Sequence, residues 1–158
     1  QESDVVGMMT ATVAQFLDLD YRVQLDSRSL QSRRHELGAQ VTLGPLSIYN
    51  QYFYAREIEG DDFGESREQL YTSGRLRLAE HWGVHGGTRF DLGENEGLRE
   101  VFYGLDYIGQ CLTLSVTGQR SLTSDSSGDS ATEIMFRVGL KNLGEFQTTG
   151  VSLGASNE

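Results

Sequence analysis

Apolar and polar residues alternate one for one along most of this chain, and over such lengths that periodicity admits little besides β-strands. Leu17, Leu19, Tyr21, Val23 and Leu25 alternate with Asp18, Asp20, Arg22, Gln24 and Asp26. A helix would scatter these residues around its surface, whereas a strand places the apolar set on one face and the polar set on the other. Leu37, Ala39, Val41 and Leu43 repeat the pattern against Glu36, Gly38, Gln40 and Thr42, and Val101, Tyr103, Leu105 and Tyr107 repeat it against Gly104 and Asp106. Leu112, Leu114 and Val116 oppose Thr113, Ser115 and Thr117, while Ile134, Phe136, Val138 and Leu140 oppose Arg137, Gly139 and Lys141. The spacing predicts nine strands, near residues 5–15, 17–27, 34–43, 46–57, 67–79, 83–92, 98–108, 111–122 and 130–142. No segment of helical periodicity interrupts them. The expected fold is all-β, an antiparallel up-and-down meander of about nine long strands.

Strand length sets the environment. Soluble strands usually run about 5–6 residues, and these run to ten or more. At ~3.3 Å per residue, eleven residues reach roughly 36 Å, and a tilt of about 40° projects that to roughly 28 Å, the height of a bilayer's hydrocarbon core. Short connections (15–17, 44–45, 80–82, 109–110) take turns with longer, charged ones (27–33, 58–66, 93–97, 123–129). Outer-membrane barrels have short periplasmic turns and longer outer loops. The residue counts agree: 19 Gly, 7 Tyr and 7 Phe accompany a single Pro. Pro removes a ladder donor, and Pro45 falls in a short turn where it disturbs none.

Composition excludes other classes. With 13 Lys+Arg against 23 Asp+Glu, the 158-residue chain carries a net charge of −10, the wrong sign for a nucleic-acid partner. No apolar run approaches the roughly 18–20 residues of a membrane-spanning helix, and the mean hydropathy is −0.40. A β-barrel escapes this test, because alternating strands average out. Cys111 is the single cysteine, so no internal disulfide forms. The opening QESDVV has no initiator Met, basic n-region or apolar h-region, and is read as part of a mature form or a piece of something longer.

The registers of two strands need separate argument. Arg75 and Arg77 must point inward beside Tyr71, leaving Leu70, Thr72, Gly74, Leu76 and Leu78 outside, because an Arg facing lipid near the midplane costs about 2–4 kcal/mol. On the fourth strand, Ile48, Tyr52 and Tyr54 share a face with Asn50, and Tyr49 and Phe53 share the other with Gln51. Neither face is clean, which suits a bulge or a protein-covered segment. Alternation alone does not say which face is wet. A soluble lipid-binding barrel would turn the apolar faces inward, while strand length and loop asymmetry favour a transmembrane barrel. Nine is odd, and bacterial single-chain barrels have even counts. The chain is therefore expected to be part of a larger barrel, the alternative being a tenth strand in the tail.

The run REVFYGLDYIGQCLTLSVTGQRSLTSD, followed by ATEIMFRVGLKNLGEF, resembles the end of the lipopolysaccharide-assembly outer-membrane protein, the LptD or organic solvent tolerance family. DYRVQLDSRSLQSRRHELGAQVTLGPLSIYNQYFY is similar to its upstream barrel strands, and the likeness is nearest to alphaproteobacterial members. The resemblance implies a lipopolysaccharide translocon in the Gram-negative outer membrane. In that family a periplasmic jellyroll delivers lipopolysaccharide, an LptE-type lipoprotein plugs the barrel and an LptA-type bridge feeds it. Acyl chains enter the membrane, sugars pass through the lumen, and release is sideways between first and last strands. Residues 1–144 would supply about the last nine strands and 145–158 a C-terminal tail, with the C-terminus periplasmic. Lipopolysaccharide and outer-membrane lipid are the expected contacts, with no nucleic acid, no cofactor and no enzymatic activity.

The resemblance also assigns roles to residues. Cysteines at the position of Cys111 bridge to the N-terminal domain in family members, against the alternative of a buried free thiol. The last strand, 131–143, would form one side of the lateral gate, with Ile134, Phe136, Val138, Gly139, Leu140 and Asn142 in it. Gly139 and Asn142 are poor strand formers, as a weakened gate requires, although glycine also makes room for bulky neighbours. Asp18, Asp20, Arg22, Gln24 and Asp26, with Arg75, Arg77, Asp106, Arg137 and Lys141, would line a polar luminal path, or simply pair with one another at little gain each.

Other clusters carry weaker signals. Arg28, Arg33 and Arg34 form a basic loop, and Glu57, Glu59, Asp61, Asp62 and Glu65 an acidic one without EF-hand spacing. His81 and His85 are four apart around a turn and on a strand, not on the helix a zincin needs. Trp82 suits an interfacial aromatic girdle. An outer-membrane barrel enzyme would need a Ser/His/acid set converging at one barrel end, and His35, His81 and His85 lie on different connections or strands. Nothing in the spacing positions a nucleophile beside a base.

Overall fold

Nine antiparallel strands, each hydrogen-bonded to the one before it, run as a meander through one continuous sheet. They are β1 (Val5–Val13), β2 (Leu17–Leu25), β3 (Ser32–Leu43), β4 (Leu46–Ala55), β5 (Arg67–Arg77), β6 (Trp82–Asp91), β7 (Gly97–Ile108), β8 (Leu112–Ser121) and β9 (Thr132–Leu140). Each lies within two residues of its expected span. Two short strands follow, β10 (Gly144–Gln147) and β11 (Val151–Ser152). The structure is a computed structural model and describes residues 4–27, 30–56, 66–93, 96–122, 132–141, 144–147 and 151–152. Among these no helix occurs. Arg28, the acidic run Glu57–Glu65 and Asn142 lie outside the described residues.

β10 pairs with the end of β9 next to the connection, through Gly144↔Leu140 and Gln147↔Arg137, and β11 pairs with the far end, through Val151↔Ile134. The strand over 131–143, expected to be last, is therefore not the edge of the sheet. At the other margin β1 pairs with β2 alone among the described strands, so the sheet is open.

The register makes the two faces explicit. Directly opposed residues share a face, and the row Leu43, Leu46, Leu76, Val84, Leu105, Val116 and Phe136 crosses seven strands without a polar side chain. One residue away along each strand, the row Thr42, Ser47, Arg75, His85, Gly104, Thr117 and Met135 runs on the opposite face. Arg75 and Arg77 take the polar face, and the mixed faces of β4 fall as expected, with Asn50 beside Ile48 and Gln51 opposite Tyr71. The register of β4 with β5 and of β3 with β4 shows no shift; the irregularities fall at Gln24/Leu25 and Arg89/Phe90.

The strands are staggered in one direction. The row Asp18, Gln40, Tyr49, Ser73, Gly87, Phe102, Gln119 and Glu133 starts beside the turn at 14–16 and ends at the opposite end of β9. A drift of roughly seven residues over seven strand spacings corresponds to a tilt of a little over about 30°, just short of the roughly 35–45° typical of closed barrels.

The described residues form a single layer. Among the described residues no hydrophobic side chain is buried, and the buried residues are Glu36, Gly38 and Asp106. Val5, Met9, Tyr103, Leu105 and Phe136 on the apolar face are all exposed. A soluble sandwich of this length would bury that face against another sheet.

Candidate functional site

The polar face is richest where β5 to β9 cross it. Three adjacent rows are involved: Ser73, Gly87, Phe102 and Gln119; then Arg75, His85, Gly104 and Thr117; then Arg77, Gly83, Asp106, Ser115 and Arg137. Tyr71 opposes Arg89, which opposes Glu100. All these side chains project on one side because they keep strand parity through the registers.

Two glycines decide how the side chains lie. Phe102 on β7 faces Gly87 on β6, and a Cβ at Gly87 would stand 2.7 Å from the ring. The ring thus lies across the β6 backbone and stacks on Tyr71 of β5, with centroids 6.1 Å apart and planes 14° from parallel. Two residues along, the exchange is reversed. His85 on β6 faces Gly104 on β7, where a Cβ would stand 2.5 Å from the imidazole. His85 thereby crosses β7 and brings Nε2 to 3.0 Å from Thr117 Oγ1 on β8.

The other ring nitrogen, Nδ1, lies 2.8 Å from Asp106 Oδ2. A carboxylate only accepts, so Nδ1 carries the proton, and in the neutral ring Nε2 accepts from the Thr117 hydroxyl. Ser115 Oγ donates to Asp106 Oδ1 at 2.7 Å, and Arg75 Nε approaches Oδ2 at 3.6 Å. Asp106 is thus a buried carboxylate with its acceptor positions engaged by three neighbouring strands. Removing it strands the Ser115 and His85 donors at a cost of about 1–3 kcal/mol.

A hydroxyl, an imidazole and a carboxylate in line is the order a nucleophile set requires. Thr117, however, sits mid-strand in β8, paired with Gly104 on one side and Met135 on the other. The ladders engage the amides around it, so the backbone offers no donors aimed at an oxyanion. The arrangement fixes the His85 ring and the Asp106 carboxylate in place.

Around this network the face is concave. A recess of about 600 Å³ is bounded by Tyr71, Arg75, His85, Phe102, Asp106 and Arg137. A second, of about 570 Å³, lies toward the long connections between Arg34, Phe53, Arg67, Tyr71 and Arg89. A third, of about 330 Å³, lies between Tyr49, Tyr71, Ser73, Arg75 and Phe102. Tyr71 borders all three. Arginines and rings alternate along them: Arg34 lies 4.8 Å over Phe53 and Arg89 5.8 Å over Tyr71.

The model of the LptD family, LPS transport system D, matches residues 1–82, about half of the chain. The chain belongs to the LptD family. No curated protein matches it. The matched span holds β1 to β5 and so includes Tyr71 and Arg75. It covers DYRVQLDSRSLQSRRHELGAQVTLGPLSIYNQYFY, and the later runs REVFYGLDYIGQCLTLSVTGQRSLTSD and ATEIMFRVGLKNLGEF lie beyond it. LptD is an outer-membrane family that transports lipopolysaccharide.

Within this LptD-family chain the residues of the expected polar path share one face but divide into two groups. On β2 and β3, Asp18 accepts from Thr12 at 2.8 Å, Asp20 lies over Gly38, and Arg22 reaches Glu36 at 3.4 Å. Gln24 donates to Asp4 at 2.7 Å, and Asp26 pairs with Arg33, which also meets Asp4 at 3.3 Å. Arg33 and Arg34, expected in a basic loop, lie instead at the start of β3, and both are paired, Arg34 with Glu36. Arg75, Asp106 and Arg137 gather around the His85 network, with Arg77 opposite Gly83.

Cys111 is exposed beside the short connection after β7, and its carbonyl accepts from the Lys141 amide at 3.0 Å. Gly139 opposes Thr113, and Ile134, Phe136, Val138 and Leu140 project on the apolar face of β9. His81 and His85 do not converge: His81 Nδ1 lies 3.0 Å from the Ile108 carbonyl, while His85 belongs to the Asp106 network. The sequence reading missed Thr117, Phe102 and Tyr71 as parts of one site. The available signal was the reciprocal placement of a glycine opposite each ring, visible only once β6 and β7 are aligned.

Proposed function

We propose that the chain is the C-terminal part of the barrel of an alphaproteobacterial lipopolysaccharide translocon, with the apolar face toward lipid and the polar face toward a hydrated lumen. The single observation that carries the reading is the inversion of burial. Among the described residues one sheet buries none of its apolar side chains, while the charged side chains of Glu36 and Asp106 are buried, as a lipid-facing wall requires.

Aromatic residues at both strand ends support it. At the short connections Trp82 packs edge-on against Tyr107 at 5.0 Å. Toward the long ones Tyr54 packs against His35 with ring centroids 6.1 Å apart, and Tyr52 bonds Glu68 at 2.7 Å. From Leu46 to Tyr54 is eight residues, roughly 23 Å along the membrane normal at a 30° tilt, close to the ~25 Å apolar band of such barrels. In this orientation the short turns and Cys111 are periplasmic, whereas β11, the last described strand, pairs with the end of β9 beside the long connections, against the expected periplasmic C-terminus. Cys111 then stands where a bridge to the N-terminal domain forms, and LptE-type and LptA-type partners meet the lumen and the periplasmic side.

The lateral gate, in this reading, lies at the β9 margin. Ile134, Phe136, Val138, Gly139 and Leu140 belong to a strand whose outer edge, among the described residues, pairs with the four-residue β10 and the two-residue β11. The polar path along Asp18, Asp20, Arg22, Asp26, Arg75, Arg77, Asp106, Arg137 and Lys141 gives sugars and phosphates a wet route.

Spin labels placed singly at Leu19, Asp20, Phe136 and Arg137 test the reading in reconstituted vesicles. Labels at Leu19 and Phe136 are expected to be relaxed by oxygen, and those at Asp20 and Arg137 by a water-soluble nickel chelate. The reverse pattern sinks the proposal.

A further inference from the structure

We infer that the Tyr71–Phe102 pair, flanked by Arg75 and Arg89, is a binding site for a phosphorylated sugar on the luminal wall; the inference rests on the transport reading and names the part of the substrate this site holds. The first observation is the platform. Phe102 is laid flat across β6 because Gly87 has no side chain, and the result is two near-parallel rings spanning β5 to β7. Such a surface suits the C–H face of a pyranose, which is apolar while its rim carries hydroxyls. Charge–charge pairing alone gives no reason to lay a phenyl ring across a water-facing wall.

The second observation is the arrangement of donors around the rings. Arg89 directly opposes Tyr71 and contacts Glu100 only at 4.0 Å. Arg75 stands four residues from Tyr71 on the same face, its side chain 65% exposed and 3.6 Å from Asp106. Both guanidiniums therefore retain donors for a phosphate, the group their planar fork matches. Asp106 and His85, held by Ser115 and Thr117, supply fixed polar groups of the kind that orient hydroxyls.

The third observation is space. Three recesses of about 600, 570 and 330 Å³ meet at Tyr71, each within or near the range of small-ligand sites. A sugar stacked on Tyr71 is reachable from either side along the strand direction, as a transit site needs.

The test uses the complete protein containing this chain, purified in detergent, with three probes: phosphorylated lipopolysaccharide core oligosaccharide freed of its acyl chains, the same oligosaccharide dephosphorylated, and inorganic phosphate. Calorimetric titration is expected to rank them in that order. Tyr71→Ala should weaken the first probe about tenfold and Tyr71→Trp should retain it, while heat-modifiable gel migration reports folding. Unchanged affinity in folded Tyr71→Ala, or inorganic phosphate binding as tightly as the oligosaccharide, overturns the site. Lipopolysaccharide export is followed separately in cells. Normal export by the wild type with unchanged oligosaccharide affinity in Tyr71→Ala removes the site and leaves the transport reading. Tyr71-dependent oligosaccharide binding in a protein that exports no lipopolysaccharide removes the transport reading and upholds the site.

Discussion

Phe102 lies across Gly87, the residue directly opposite it, while two residues further along His85 lies across Gly104 in the opposite sense. The adjacent strands β6 and β7 thus exchange one ring each over one glycine each. Steric consequences follow. At Gly87 a methyl group meets the Phe102 ring and the Thr72 carbonyl, and the latter is backbone. Gly87→Ala should destabilise the folded protein by about 1–3 kcal/mol, whereas Gly74→Ala, with only the Ser47 carbonyl at 3.8 Å, should cost far less. Urea-dependent unfolding from vesicles measures both; equal stability of the two variants refutes the ring-crossing account.

Asp106 should be coupled energetically to His85. A double-mutant cycle of Asp106→Ala and His85→Ala is expected to show an interaction energy of at least about 0.5 kcal/mol, because either substitution alone leaves the partner unsatisfied. Thr117→Val, which removes one hydroxyl from the chain of hydrogen bonds, should cost about 1 kcal/mol. Strict additivity of the first pair means that the Nδ1–carboxylate contact contributes nothing.

Arginine substitutions read the two faces directly. Leu105→Arg, in the uninterrupted apolar row, should cost about 2–4 kcal/mol of folding into bilayers, while Gln40→Arg on the other face should stay within about 0.5 kcal/mol. Matching losses at both positions contradict a lipid-facing apolar side.

Trp82 is the chain's single tryptophan and sits against Tyr107 at the short-connection end. Its fluorescence should be quenched most by lipids brominated near the glycerol backbone. In Trp82→Phe carrying Phe136→Trp the optimum should move toward the acyl-chain centre, since Phe136 lies in the apolar row. An unchanged depth profile contradicts the assigned levels.

Cys111 supplies an orientation test. Its exposed thiol should react with a membrane-impermeant maleimide only after the outer membrane is permeabilised, if it is reduced in the mature protein. Labelling of intact cells places the short connections outside and reverses the orientation.

The strands and their faces were legible because period-two alternation is a local property: Leu17 to Leu25 declares its two sides with no knowledge of any neighbour. The register of β5 was also readable, since Arg75 and Arg77 cannot both face lipid cheaply. The site was not. Gly87 and Phe102 are fifteen residues apart, His85 and Thr117 thirty-two, and a glycine on a polar strand face reads as neutral until the ring opposite it is known. The tail was ambiguous for a different reason: β10 and β11 are four and two residues long, too short for a period to establish itself. Arg33 and Arg34 looked like a loop's free charge because their partners Asp4, Asp26 and Glu36 come from three separate places in the chain.

The crossed rings of β6 and β7 also bear on where this wall bends. Two strands latched by aromatic groups slide past each other only if both rings lift together, so that seam behaves as a stiff panel. Beyond β9 the described pairing is two brief stitches, β10 and β11. In the proposed translocon, strain from a passing glycolipid would leave the panel bearing Tyr71 in shape, because its two crossed rings resist shear between β6 and β7.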